Sequence, residues 1–156
     1  MKTLILYATK YGATLEAVKR LATHFEDVCI HDMKQEATPP LSEFECIIIG
    51  SSIYAGSIRK EAKIFMQKNA DVILTKKYGL FICGMSKIVD EGFLGKNFPL
   101  RLLGSAKAKS MFGGIYDPQK VGGFERFIMK MIIRQPGIVD TINNSKIEQF
   151  AKQMKE

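Results

Sequence analysis

Apolar residues arrive along this chain in two rhythms. The runs at 3–7, 46–49 and 80–83 are apolar without alternation, as in strands covered on both faces of a parallel sheet. Between them the spacing changes. Leu15, Val18, Leu21, Ala22 and Phe25 recur at helical intervals, as do Ile58, Ala62, Phe65 and Met66. A second short strand is expected at 28–30, and Pro39-Pro40 marks a loop. Gly50-Ser51-Ser52 is expected to end the third strand, and Gly84 the fourth. Leu102-Leu103 belongs to a short helix, and 110–115 reads as a fifth strand weakened by Gly113-Gly114. A helix over 123–134 is broken by Pro136-Gly137. The last helix opens at Ser145-Lys146-Ile147-Glu148, a capping-box pattern, and buries Ile147, Phe150, Ala151 and Met154.

Strands alternating with helices predict an α/β domain with a parallel sheet wrapped on both faces and right-handed crossovers. Nothing reads as a linker or an internal repeat, so residues 1–156 form one domain. Ligands of such sheets sit outside the carboxyl ends of the strands. The loops at 8–14, 50–57, 84–90 and 115–120 should therefore share one edge.

Three of those loops carry candidate chemistry. Thr9-Lys10-Tyr11-Gly12-Ala13-Thr14 lies between a strand and a helix, where unpaired N–H groups and the helix dipole favour an anion. Gly12 permits a tight turn, Thr9 and Thr14 offer hydroxyls, and Lys10 adds a charge. The loop is neither a Walker A sequence nor a Gly-x-Gly-x-x-Gly fingerprint, so a single terminal phosphate fits best. An ordinary capped turn is the plain alternative. Ser51, Ser52, Ile53, Tyr54, Ala55 and Gly56 form the second loop, with accessible backbone and two bulky side chains able to cover a flat ring. Cys83, Gly84, Met85, Ser86 and Lys87 form the third, a second wall for the same ring.

Charge sharpens the picture. The formal net charge is +7. All of that excess falls in residues 76–135, which hold eleven basic and four acidic side chains. Such a patch favours an anionic partner, against the plainer reading of a solvated face. No nucleic-acid motif accompanies it. Cys29, Cys46 and Cys83 have no disulfide or zinc spacing, and His24 and His31 read as structural. No metal is expected. No apolar run nears the ~20 residues of a membrane span, and the short run after Lys2 is no leader, so a cytoplasmic protein is expected.

Residues 5–14, Ile-Leu-Tyr-Ala-Thr-Lys-Tyr-Gly-Ala-Thr, resemble the phosphate-loop region of flavodoxins, and 50–56 resemble their second flavin loop. Residues 112–118 and 123–132 resemble one branch, the menaquinone-dependent protoporphyrinogen dehydrogenases. The resemblance implies a flavodoxin-like five-stranded sheet of order 2-1-3-4-5, with an extra helical segment at 116–144. It also implies FMN, its phosphate on 9–14 and its ring between 51–56 and 84–87. Tyr11 stands where flavodoxins carry a hydroxyl residue and Ala13 where they often carry asparagine. Their surfaces are typically acidic, whereas this chain is basic.

The implied activity is an FMN oxidoreductase oxidising a porphyrinogen with a quinone acceptor. The flavin carries the chemistry, so no catalytic protein residue is named. Two alternatives stay open: an electron carrier docking to a protein, and a non-catalytic module without FMN. The helix at 123–134 is also read two ways. Phe124, Phe127, Ile128, Met131 and Ile132 make an apolar face, and Arg126, Lys130 and Arg134 a basic stripe. That is the pattern of a core helix with solvated cations, or of an interfacial helix in contact with the inner face of a membrane, a quinone, a dimer mate or an anionic substrate.

Overall fold

The computed structural model describes residues 1–156 except Glu36, Ser86–Asp90 and the side chain of Glu91. Five long parallel strands form its centre: β1 (Thr3–Ala8), β2 (Val28–Asp32), β3 (Cys46–Tyr54), β5 (Lys77–Cys83) and β6 (Ala108–Gly113). Their spatial order is β2-β1-β3-β5-β6, the expected 2-1-3-4-5 when only these five are counted. A short β4 (Ser57–Ile58) adds a sixth strand.

Period-two geometry explains the unbroken apolar runs. Leu4, Leu6, Ile47, Ile49, Leu80 and Ile82 point to one face, where α2 (Lys60–Leu74) supplies Ala62, Met66 and Ile73. Ile5, Ile48, Phe81 and Phe112 point to the other, where α1 (Ala13–Ala22) and α6 (Asn144–Lys155) cover them. Each fully buried Leu, Ile or Phe contributes about 2 kcal/mol, so a strand with two covered faces can spare no polar position. On the α6 side, Phe81 stacks on Phe112 at 4.6 Å, and Phe150 meets Phe112 edge-on at 5.3 Å. Two further helices, α3 (Glu91–Asn97) and α4 (Leu100–Ser105), connect β5 to β6.

Three expectations are corrected. The third strand does not end at Gly50-Ser51-Ser52. It runs on to Tyr54 and folds back as β4, with Ile53 opposite Ile58. Ala55 and Gly56, both at positive φ, make that reversal. The fifth strand does not continue to Ile115. It stops at Gly113, where φ is +90° and a Cβ would lie 2.1 Å from the Thr141 carbonyl oxygen. Ile115–Tyr116 then forms β7, paired antiparallel with β8 (Val139–Asp140). The last helix is capped by Asn143, whose side chain accepts a hydrogen bond from the Lys146 N–H at 3.1 Å, not by Ser145.

Between β7 and β8 stands α5 (Gly123–Ile132). None of its residues is buried, so it is not a core helix.

Candidate functional site

The carboxyl ends of β1, β3 and β5 open onto a cavity of about 430 Å³. The first loop contributes Thr9, Lys10, Tyr11 and Ala13; the β3–β4 hairpin contributes Ser52, Ile53, Tyr54 and Ala55. Cys83, Gly84 and Met85 complete the floor. Three segments of sequence thus converge at one sheet edge, as expected for loops following parallel strands.

The first loop is shaped by its own residues. The Gly12 N–H donates to Thr9 Oγ1 at 3.0 Å, which closes the turn. Gly12 has φ +92°, a conformation that disfavours any residue with a Cβ. No side chain caps α1, so its first N–H groups remain available to an external acceptor. Gly12 and Thr14 do not line the cavity themselves: one sets the turn, the other is fully buried beside Ala13.

Three buried hydroxyls cluster around this edge without a hydrogen-bond partner among the described residues: Thr14 Oγ1, Ser52 Oγ and Tyr116 Oη. Buried hydroxyls are almost always paired, so Ser52 and Tyr116, which line the cavity, mark places for a ligand's polar atoms, while Thr14 lies beneath the first loop beside the Cys83 thiol. The expected hydroxyl of Ser51 serves the fold. It accepts from the Arg59 N–H at 2.9 Å and donates to the Ser52 carbonyl at 3.0 Å. Gly56 sits at the hairpin tip, outside the cavity lining. Ser86 and Lys87 lie outside the described residues.

The cavity also has a roof that the loop motifs did not disclose. Phe124, Ile128 and Met129 of α5 line it from above, with Val121 and Tyr116 at one side. Glu125 reaches across the mouth. It accepts hydrogen bonds from Lys10 Nζ at 3.1 Å, from Tyr54 Oη at 2.5 Å and from Tyr11 Oη. The donors Tyr11 and Tyr54, with the Lys10 charge, hold its carboxyl down at about 2. Desolvation works against the Lys10 ammonium, but Tyr54, Tyr11 and Glu125 outweigh it and raise its pKa. The ammonium also lies 3.1 Å from the centroid of the Tyr54 ring. The only acid of a helix with a basic flank, in its first turn, reads from sequence as dipole compensation. Its spacing from Lys10 carried no signal at all.

The excursion that holds this roof is tied down at its base. Arg20 of α1 donates to Asp140 of β8 at 2.6 Å, and that carboxylate holds the guanidinium pKa up.

The site holds no protein nucleophile or metal cluster among the described residues. Burial pushes the Cys83 thiol up to about 12, beside the Thr14 hydroxyl, and the Cys46 thiol to about 11. All three cysteines are free, and no group of His, Cys, Asp and Glu is arranged for a metal among the described residues. His31 is buried and His24 lies beyond the end of α1, both away from the cavity. No helix among the described residues is long and apolar enough to cross a membrane.

An uncapped helix start, an apolar slot and unpaired hydroxyls fit a planar, phosphate-bearing cofactor, as the sequence resemblance implied, whereas the Lys10 charge expected to meet the phosphate is met by Glu125. Solved structures of the same architecture are alike at low identity. Oxidised flavodoxin 1 from Bacillus cereus matches with TM-score 0.59 and 14% identity over 99% of this chain and 97% of that one. The Fusobacterium nucleatum flavodoxin bound to flavin mononucleotide gives 0.52 and 15% over 99% and 98%. Rubredoxin oxygen:oxidoreductase from Desulfovibrio gigas gives 0.52 and 14% over 99% of this chain, which spans only 36% of that protein. No curated protein matches the chain in sequence. The pattern of the flavodoxin domain family matches residues 4–139, from the first strand through the roofed cavity to β8, and on that match the chain belongs to the flavodoxin domain family.

Proposed function

We propose that this chain is an FMN-dependent oxidoreductase that accepts an anionic, largely apolar macrocyclic substrate of the porphyrinogen type and passes its reducing equivalents to a quinone. The observation that carries this reading is the roof. Phe124, Ile128 and Met129 give the cavity an apolar second wall opposite Tyr54 and Met85. A carrier that meets its partner at an exposed flavin edge has no need of such a wall, whereas a small hydrophobic substrate does.

The cofactor's phosphate is assigned to the Thr9–Thr14 loop, with the α1 N–H groups and the Thr14 hydroxyl as donors. Its ring is assigned to the slot between Tyr54 and Met85. Bound there, FMN would supply hydride and single-electron transfer. The chain's own residues do the rest. Tyr54 and Ile53 orient a flat ring, and Ile128 and Met129 keep water from the reacting face. The basic excess of 76–135 attracts a carboxylate-bearing substrate.

The test is turnover of protoporphyrinogen by the FMN-loaded protein with a soluble menaquinone analogue, followed by porphyrin fluorescence. Absence of turnover, with flavin bound and reducible, would overturn this reading in favour of an electron carrier.

A further inference from the structure

The roof helix has an outer side as well as an inner one. Phe124, Phe127, Met131 and Ile132 are 77%, 62%, 65% and 69% exposed, and Ile138, just beyond the helix, is 67% exposed. On a helix, positions 124, 127 and 131 lie side by side as one ridge. Arg126 and Lys130 flank that ridge, with Arg134 beyond the helix end, and none of them has a carboxylate partner among the described residues. The only acid of the helix, Glu125, is turned inward and spent on Lys10, Tyr11 and Tyr54. The outward surface of α5 is therefore apolar and purely cationic.

We infer that α5 docks on an anionic lipid bilayer, with its apolar ridge in the acyl boundary and its basic flank among the headgroups. Both halves of the surface decide the occupant. A nucleic-acid backbone would satisfy the cations and leave Phe127 and Met131 in water. Antiparallel pairing with a second copy would bury the ridge and set one basic flank against the other. A bilayer with negative headgroups accommodates both at once. Phe124 belongs to the ridge and to the cavity lining, so the docked helix would bring the cavity mouth to the membrane surface. The docking rests on α5 alone and does not depend on the redox reading.

The chain contains no tryptophan, so Phe127→Trp installs a single reporter. The full-length protein would be mixed with vesicles of phosphatidylcholine, with and without about one third phosphatidylglycerol. Expected are a blue-shifted emission, quenching by brominated acyl chains, and co-sedimentation with the anionic vesicles only. Phe127→Glu with Met131→Glu should lower that partition by about tenfold or more. Each cation of Arg126, Lys130 and Arg134 replaced by glutamine should lower it by about fivefold at low salt. These side chains are exposed, so unchanged circular dichroism and melting are expected of every variant.

The proposal is overturned if the emission does not respond to anionic vesicles. It is equally overturned if binding survives the paired Phe127 and Met131 substitutions. It also fails if those substitutions instead dissolve a dimer of a protein that ignores lipid.

Discussion

Glu125 on α5 stands 3.1 Å from Lys10 on the first loop, although 115 residues separate them in sequence. With Tyr11 and Tyr54 on the same carboxylate, this contact fastens the roof to the floor of the cavity. Replacing the charge while keeping the shape, as in Glu125→Gln, should loosen the roof and leave the sheet intact. Amide exchange of α5 is expected to rise about tenfold at neutral pH, with exchange of β1, β3 and β5 unchanged. Equal exchange in the two proteins would show that the contact does not hold the helix.

The same carboxylate gives a pH dependence. Its pKa falls from an ordinary 4.5 to about 2 in the folded protein. A lowered pKa stabilises at every pH above the unfolded value, and the contribution disappears as pH falls through the folded one. The difference in α5 protection between wild type and Glu125→Gln should therefore be full at pH 7 and shrink between about pH 4.5 and 2. A constant difference across that window would assign the protection to other contacts.

Thr14→Val separates folding from ligand binding. The hydroxyl is buried and unpaired among the described residues, so its loss should leave stability unchanged or raise it by about 1 kcal/mol. FMN affinity should fall about tenfold through the missing donor to the phosphate. Chemical denaturation and flavin fluorescence titration read the two effects independently. Unaltered affinity would remove Thr14 from the cofactor's contacts.

Gly50→Ala is expected to cost about 3 kcal/mol, because overpacking a filled core forces side chains off their preferred rotamers. The added carbon would sit 1.9 Å from Phe81 Cζ, and Phe81 is already fixed against Phe112 and Phe150. Shortening the obstacle in a Gly50→Ala, Phe81→Leu double variant should recover part of the loss. Additive losses would mean that another neighbour resists the carbon.

Asn143→Ala should lower stability by about 1 kcal/mol, while Ser145→Ala does little, in thermal melts. Those two residues also mark the limit of local pattern. The serine matched a capping signature, but the chain turns into α6 one residue before it, and Asn143 meets the free N–H. The strands were legible because burial on both faces leaves no choice of residue type at Ile47, Ile48 and Ile49. The buried positions of α6 were legible for the same reason, from one face.

The floor of the cavity could be read from the loops that follow those strands. Its roof could not. Glu125 finds Lys10, Tyr11 and Tyr54 only because β7 and β8 turn the intervening chain back over the sheet edge, and a two-residue ribbon leaves no periodicity in sequence. The course of Ser51 and Ser52 departs from the expected strand end for a related reason. Small polar residues usually end a strand, but here Ser51 bonds within the fold and the hairpin continues past it.

Ile115 stands opposite Asp140 where the excursion leaves and rejoins the domain. Its two ends are therefore already joined before α5 is counted. Everything beyond the ribbon behaves as a detachable cassette: a tight turn from Tyr116 to Val139 would close the chain without disturbing a single strand of the main sheet. Removing the cover would leave the strands in place and take away only the Glu125 grip on Lys10, Tyr11 and Tyr54.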